Sequence, residues 1–263
     1  MAPLLSVEGI GKIYGEGRSA YRAIDSVTFD VNESEIVTVV GPSGCGKTTL
    51  LKCISGLLPP TDGRSVLNGI PVTEPPEGLG IVFQDYSRSL YPWMSVAHNV
   101  AFPLAGKGIP RNEINDRVER TLAAVGLRGQ QRKKPFQLSG GMQQRVAIAR
   151  ALAYQPKVLL MDEPFASVDA QTRAELEDTV VALRAEFNVT VLFITHDIDE
   201  AVYMADRIVV LTPPPTTVSE IVEVSLPFPR DQIGTKELAE FVKLRSHVYR
   251  AVKNRWDDRQ PGQ

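Results

Sequence analysis

"EIVTVVGPSGCGKTTLLKC" occupies residues 35–53, and its three parts decide what kind of fold the chain must build. Residues 35–40 are an almost unbroken apolar, β-branched run, the composition of a strand covered on both faces. Residues 41–48 match G-x-x-x-x-G-K-[ST] at every fixed position, and the helical spacing that follows stops near Gly56, ahead of Pro59 and Pro60. Glycines let such a loop curl so that its N–H groups face anionic oxygens at a helix start, where the peptide dipoles also favour negative charge. Lys47 adds a point charge for the outer phosphates, and Thr48 adds a hydroxyl suited to Mg²⁺. A strand, loop and helix in this order bind a nucleoside triphosphate. The expected ligands are Gly41, Pro42, Ser43, Gly44, Cys45, Gly46, Lys47, Thr48 and Thr49.

Working outward, the flanking texture alternates between strand and helix. Residues 4–10, 23–31 and 78–85 read as strands, as do 157–162, 189–197 and 207–211. Residues 171–187 read as an amphipathic helix, and a short helix starts at Ile198. Between about 85 and 153 strand runs give way to helical patterns at 95–102, 111–125 and 140–153. In the second of these Ile114, Val118, Leu122 and Val125 recur at helical spacing. The prolines at 213–215 mark a turn before a strand-like run at 217–226, and residues 234–256 have the spacing of one terminal helix. Such alternation predicts a largely parallel sheet wrapped by helices.

The bulk numbers exclude other classes. With 263 residues, 43% hydrophobic, and a net charge of −2, the chain has no polybasic coat for nucleic acid. No apolar run approaches the roughly 18 residues of a membrane span, and the N-terminus lacks the pattern of a secretory signal. Cys45 and Cys53 form no Cys-x-x-Cys pair, and three scattered histidines give no metal spacing. These features predict a soluble, reduced, cytosolic protein.

Three further stretches carry chemistry. In "KVLLMDEP" a buried strand places Asp162 at its C-terminal tip, where open α/β sheets bind ligands. Asp162 suits the Mg²⁺ shell, and Glu163 suits a general base acting on water. Gln84 and His196 close two other strands. A Gln amide bridges metal and water, and a His donates to a γ-phosphate oxygen. Either alone reads as a surface strand end, but beside the loop and the Asp–Glu pair they form a constellation. Finally, "LSGGMQQR" at 138–145 is a second anion cradle in a chain that already has one.

Gln84, "LSGGMQQRVAIARAL", "VLLMDEPFASVD" and "THD", in that order, resemble the nucleotide-binding subunits of ABC transporters through about Leu211. The resemblance implies an α/β fold: a P-loop NTPase core with a mostly parallel sheet, an N-terminal antiparallel β part and an inserted helical subdomain. It also implies hydrolysis of ATP with Mg²⁺, held at Thr48, Gln84 and Asp162, and a catalytic set of Glu163, His196 and Gln84. Two copies would pair head to tail, Ser139, Gly140 and Gly141 of one contacting the ATP of the other. Tyr14 falls where the family stacks an aromatic on adenine, and Asp169 falls in the loop that crosses the dimer. "ASVD" replaces the commoner Ser-Ala-Leu-Asp and Met142 replaces a Gln, neither of which removes a phosphate donor.

The implied division is an α/β core at 1–84 and 154–225, a helical subdomain at 85–153 and a C-terminal extension at 226–263. "LYPWMSVAHNVAFPL" and "LPFPRD" resemble the nitrate, sulfonate and taurine importer group. Membrane permease subunits would then dock near 85–104, with Leu90, Tyr91, Trp93 and Met94 either anchoring that contact or serving as core. A periplasmic or extracellular solute-binding protein would act indirectly. The chain would sit on the cytoplasmic face of the inner membrane. Export, lipoprotein extraction and cell-division machinery are the alternatives within the same family.

Overall fold

Two long strands, β1 (Leu5–Tyr14) and β2 (Tyr21–Val31), open the chain and pair antiparallel from Leu5↔Val31 to Tyr14↔Tyr21. Toward its end β2 turns Val27, Phe29 and Val31 inward and alternates with exposed residues, as a strand with one wet face does. By contrast β3 (Ile36–Val40) is buried at all five positions, and the glycine loop carries it into α1 (Lys47–Ile54). A hairpin of β4 (Asp62–Leu67) and β5 (Ile70–Pro71) follows, with β4 antiparallel to β1. "DGRSVL" has no apolar alternation to predict a strand. Its pairing depends on the absence of a side chain at Gly63, where a Cβ would come within 2.2 Å of the Gly9 carbonyl oxygen.

The middle of the chain contains β6 (Leu79–Val82), α2 (Val96–Ala101), α3 (Arg111–Ala124), α4 (Gly140–Ala153), β7 (Val158–Asp162) and α5 (Ala170–Phe187). The three helices expected in 95–153 therefore form, and α4 packs on both α2 and α3. Val118 and Leu122 of α3, and Val125 just after it, are buried as their spacing required. Strands β6 and β7 pair parallel from Leu79↔Val158 to Val82↔Met161. Arg145 of α4 ties its neighbours together. It donates to the Val125 carbonyl at 3.0 Å and to Thr179 Oγ1 at 3.1 Å, and pairs with Glu175 at 3.1 Å.

The chain ends with β8 (Thr190–Ile194), α6 (Ile198–Met204), β9 (Arg207–Leu211), β10 (Thr216–Glu223), α7 (Gly234–Glu237) and α8 (Ala239–Asp257). β3 lies parallel between β8 and β9, while β10 runs antiparallel to β9 and meets β2 in parallel. The single terminal helix expected at 234–256 is instead two, separated by an extended Leu238 (φ −61°, ψ 134°). Leu238 is consequently exposed, whereas Phe241 and Val248 are buried.

The computed structural model describes residues 2–85 and 89–257, without the side chains of 18 and 254–257. Its contacts divide the chain into Met1–Glu77 with Thr190–Gln263, and Gly78–Val189. In the first unit the strand order is β5-β4-β1-β2-β10-β9-β3-β8; in the second β6 and β7 lie side by side.

One ion pair fastens the start of β3. Arg207 donates through Nη2 to Glu35 Oε2 at 2.8 Å and to the Asp30 carbonyl at 2.8 Å, and its Nε pairs with Glu35 Oε1. Glu35 also accepts from the Asn32 backbone N–H at 2.7 Å. Burial pushes the Glu35 carboxyl up, but the Arg207 and Asn32 bonds outweigh it and hold it below its ordinary value. Arg207→Ala should cost about 2–3 kcal/mol, toward the low end for breaking a buried pair, read as a lowered urea midpoint. Because Glu35 has a depressed pKa when folded, its contribution is complete above the unfolded value. It is lost as pH falls through the folded one. Glu35→Gln should therefore flatten the acid limb of the stability profile.

Candidate functional site

The glycine loop leaves β3 at Gly41 and enters α1 at Lys47. Gly46 caps the helix in the left-handed region (φ 91°), open to glycine at little cost, and no side chain caps the first turn. A helix start leaves its first N–H groups without partners inside the helix, and a glycine N-cap supplies no side-chain acceptor for them. Lys47 is buried, and its ammonium donates to the Gly41 carbonyl at 2.9 Å and the Pro42 carbonyl at 3.1 Å. Ser43, Gly44 and Thr48 stay exposed along the rim. Behind the loop, the hydroxyl of buried Thr216 donates to the Cys45 carbonyl and pins the turn to β10.

Two more expected residues join this loop in the same unit. Tyr14 ends β1 with its ring 42% exposed, its hydroxyl 3.2 Å from Thr49 Oγ1 and the Lys12 ammonium 5.6 Å from its centroid. An aromatic face is thereby offered at the loop's edge. His196, exposed, follows β8, whose register runs parallel to β3 up to Val39↔Ile194. The Thr195 N–H donates to the Val39 carbonyl, so His196 emerges at the level of Gly41. Below it Asp197 caps α6 through the N–H groups of Asp199 and Glu200, and Thr195 donates to Glu200 Oε2 at 2.5 Å.

In the second unit the parallel register of β6 and β7 ends at Val82↔Met161, so Gln84 and the Asp162–Glu163 pair leave the same strand ends. Asp162 is buried at the tip of β7, and Gln84 is exposed. Glu163 has φ 42°. Among the described residues, the other non-glycine residues in that region are Ser34, Asn68, Gln155 and Asn188, two of them Asn, a type that tolerates it. A glutamate held there, ahead of Pro164, marks a position under local constraint, as functional residues often are.

The same unit brings the "LSGG" start beside Asp169. Ser139 caps α4 by accepting from the Met142 N–H at 3.3 Å, with Ser139 and Gly140 exposed and Gly141 buried. Asp169 caps α5, its two carboxylate oxygens accepting from the N–H (3.0 Å) and hydroxyl (2.7 Å) of Thr172. Those bonds hold its carboxyl below the ordinary value. Sequence reading missed Thr172, although Asp-x-x-Thr at a helix start is a legible cap.

Of the four residues weighed between docking and core, Leu90 is core, at 3% exposure. Trp93 is 68% exposed, and half-buried Tyr91 meets Trp93 (5.5 Å) and exposed Phe102 (4.5 Å) in tilted ring contacts. Buried Asn99 shapes this loop, accepting from the Tyr91 N–H and donating to the Tyr91, Met94 and Ser95 carbonyls. Residues 86–88 of the expected docking segment and 258–263 of the expected extension lie outside the described residues.

A parallel strand, glycine loop and helix with a buried lysine define a nucleoside-triphosphate-binding α/β protein. A family model described as ABC transporter matches residues 24–166. The chain is 46% identical over 250 residues to an uncharacterised ABC transporter ATP-binding protein of Methanocaldococcus jannaschii, covering 95% of this chain and 91% of that one. It is 42% identical over 247 residues to the nitrate import ATP-binding protein NrtD of Synechococcus elongatus, covering 93% and 89%. A dimeric post-hydrolysis ATP-binding cassette bound to ADP and Pi superposes with a TM-score of 0.73 at 32% identity, covering 84% of this chain and 98% of that one. The chain belongs to the ABC transporter family, as an ATP-binding, ATP-hydrolysing subunit.

Thr216 gives a check on the loop's geometry that avoids every expected ligand. Thr216→Val keeps the shape but leaves the buried Cys45 carbonyl without that donor, at about 1–2 kcal/mol. A lower melting temperature with a several-fold weaker ATP affinity by calorimetry is expected; unchanged affinity would mean the loop holds its shape without β10.

Proposed function

We propose that two copies of this chain close head to tail over two ATP molecules and so power import of a small anion of the nitrate, sulfonate or taurine kind. The observation that carries the pairing is the exposed Ser139–Gly140 helix start, a second anion cradle lying in a different unit from the loop at 41–48. One cradle serves the chain's own nucleotide, and the other suits a neighbour's. The solute class rests on the family group, since cargo is chosen by other subunits.

In this reading the N–H groups of 43–49 and the Lys47 ammonium hold the β- and γ-phosphates, with the Tyr14 ring against the adenine. Thr48, Gln84 and Asp162 each offer an oxygen donor of the kind Mg²⁺ prefers, and the ion when bound would neutralise phosphate charge. Glu163 takes a proton from water as general base, and His196 donates to the γ-phosphate oxygens. Ser139, Gly140 and Gly141 complete the partner's site, with the Asp169 turn beside them, so closure and hydrolysis are coupled. Tyr91, Trp93 and Phe102 form the aromatic surface on which a permease segment would dock, holding the chain at the cytoplasmic face of the membrane.

Glu163→Gln should bind ATP but turn over at least about 100-fold more slowly, and should accumulate as a stable dimer in ATP by sedimentation. Hydrolysis at the wild-type rate would remove Glu163 from the base role. Mixing Lys47→Ala and Ser139→Ala subunits should restore one intact composite site per mixed pair, with ATPase activity above either parent. No gain on mixing would show that Ser139 does not act on a neighbour's nucleotide.

A further inference from the structure

Gly141 and Thr172 meet where α4 and α5 begin. A Cβ built on Gly141 would lie 2.3 Å from Thr172 Cγ2, a separation no real side chain tolerates. The next nearest atoms, Thr172 Cβ at 3.6 Å and Oγ1 at 3.8 Å, are at ordinary contact distance. A side chain at 141 would therefore require the Thr172 methyl to move. The rest of Thr172 is engaged with Asp169: its N–H reaches one carboxylate oxygen at 3.0 Å and its hydroxyl the other at 2.7 Å. One residue thus touches both segments expected to face a second copy. Farther along the two helices, Arg145 of α4 holds Glu175 and Thr179 of α5, so the helix starts cannot slide freely past each other.

We propose that Thr172 is a positioning residue that keys the Ser139–Gly141 helix start to the Asp169 turn, so that both reach the partner's ATP as one rigid face. Its methyl is a reason, separate from phosphate contact, why position 141 is glycine. It follows that Asp169, with both oxygens held within its own helix start, acts through the shape of its turn rather than by lending its charge to the partner. This inference rests on the head-to-tail pairing proposed above.

The test uses the full-length chain and separates the methyl from the hydroxyl. Thr172→Ser removes only the methyl, and Thr172→Val removes only the hydroxyl. In the Glu163→Gln background, ATP-dependent dimerisation is read by sedimentation. In the otherwise unchanged chain, kcat and the affinity for ATP are read separately. Gly141→Ala should lower kcat by about 100-fold and abolish dimerisation without changing the affinity of the monomer for ATP. Adding Thr172→Ser should restore both to within about 5-fold, because the nearest atom to the new Cβ is then at 3.6 Å. Thr172→Val should lower kcat about 10-fold at unchanged ATP affinity, with Thr172→Ser close to normal. A double variant as inactive as Gly141→Ala would overturn the steric key, leaving the glycine explained by phosphate approach alone. Thr172→Val at full kcat would overturn the link to Asp169. If Gly141→Ala does not fold, recovery of folding in the double variant still reads the key, and Thr172→Val still reads the link to Asp169. If the Glu163→Gln chain itself never pairs in ATP, the pairing fails and the inference falls with it. Pairing without rescue rejects the key alone.

Discussion

Every helix start leaves backbone N–H groups without partners inside the helix, and this protein resolves that constraint in three ways. At α1 no side chain caps the turn, and Gly46 together with buried Lys47 leaves an electropositive loop. At α4 Ser139 caps one N–H, and Ser139 and Gly140 stay exposed. At α5 Asp169 caps with both oxygens, so the turn is closed and negatively charged. The first is built for an anion, the second is partly open to one, and the third is structural. In the proposed pairing, capping chemistry thus separates the chain's own phosphate cradle from the one suited to a neighbour, and both from a turn that supports them.

The strands give these starts their positions. β3 and β8 end together in parallel register, which puts the loop at 41–48 and His196 at one level. β6 and β7 do the same for Gln84 and the Asp162–Glu163 pair. Parallel strands place successive strand ends, and whatever residues follow them, on one side of a sheet. The polar chemistry can then sit at the ends of strands that are themselves wholly apolar. The left-handed backbone of Glu163 is the one place where that arrangement strains the chain at a residue of expected chemistry.

How much of this was legible depended on range. The loop, the Asp–Glu pair and the helices at 111–124 and 140–153 are written in local pattern and could be read without a structure. The pairing of β4 with β1 could not, because it depends on Gly63 lying against Gly9, more than fifty residues away. The break at Leu238 was hidden in the same way: helical spacing persists through it while the backbone does not. Leu90 and Trp93 are three residues apart and similarly apolar, yet one is core and the other surface. Asn99 decides the loop between them by bonding to carbonyls that sequence cannot place.

The sequence by itself determined that this chain binds a nucleoside triphosphate, that a second Ser-Gly-Gly segment opens a helix, and that a carboxylate pair closes a buried strand. Spacing suffices for these because each depends on residues within one turn or one strand end. Only the tertiary structure decided which groups are already engaged. It shows Lys47 resting on the carbonyls of its own loop, Thr216 holding that loop from behind, and Asp169 committed to Thr172. It also placed the Thr172 methyl where a side chain on Gly141 would begin. Such contacts join helices and strands far apart in the chain, and steric exclusion between them leaves no periodic mark in the sequence.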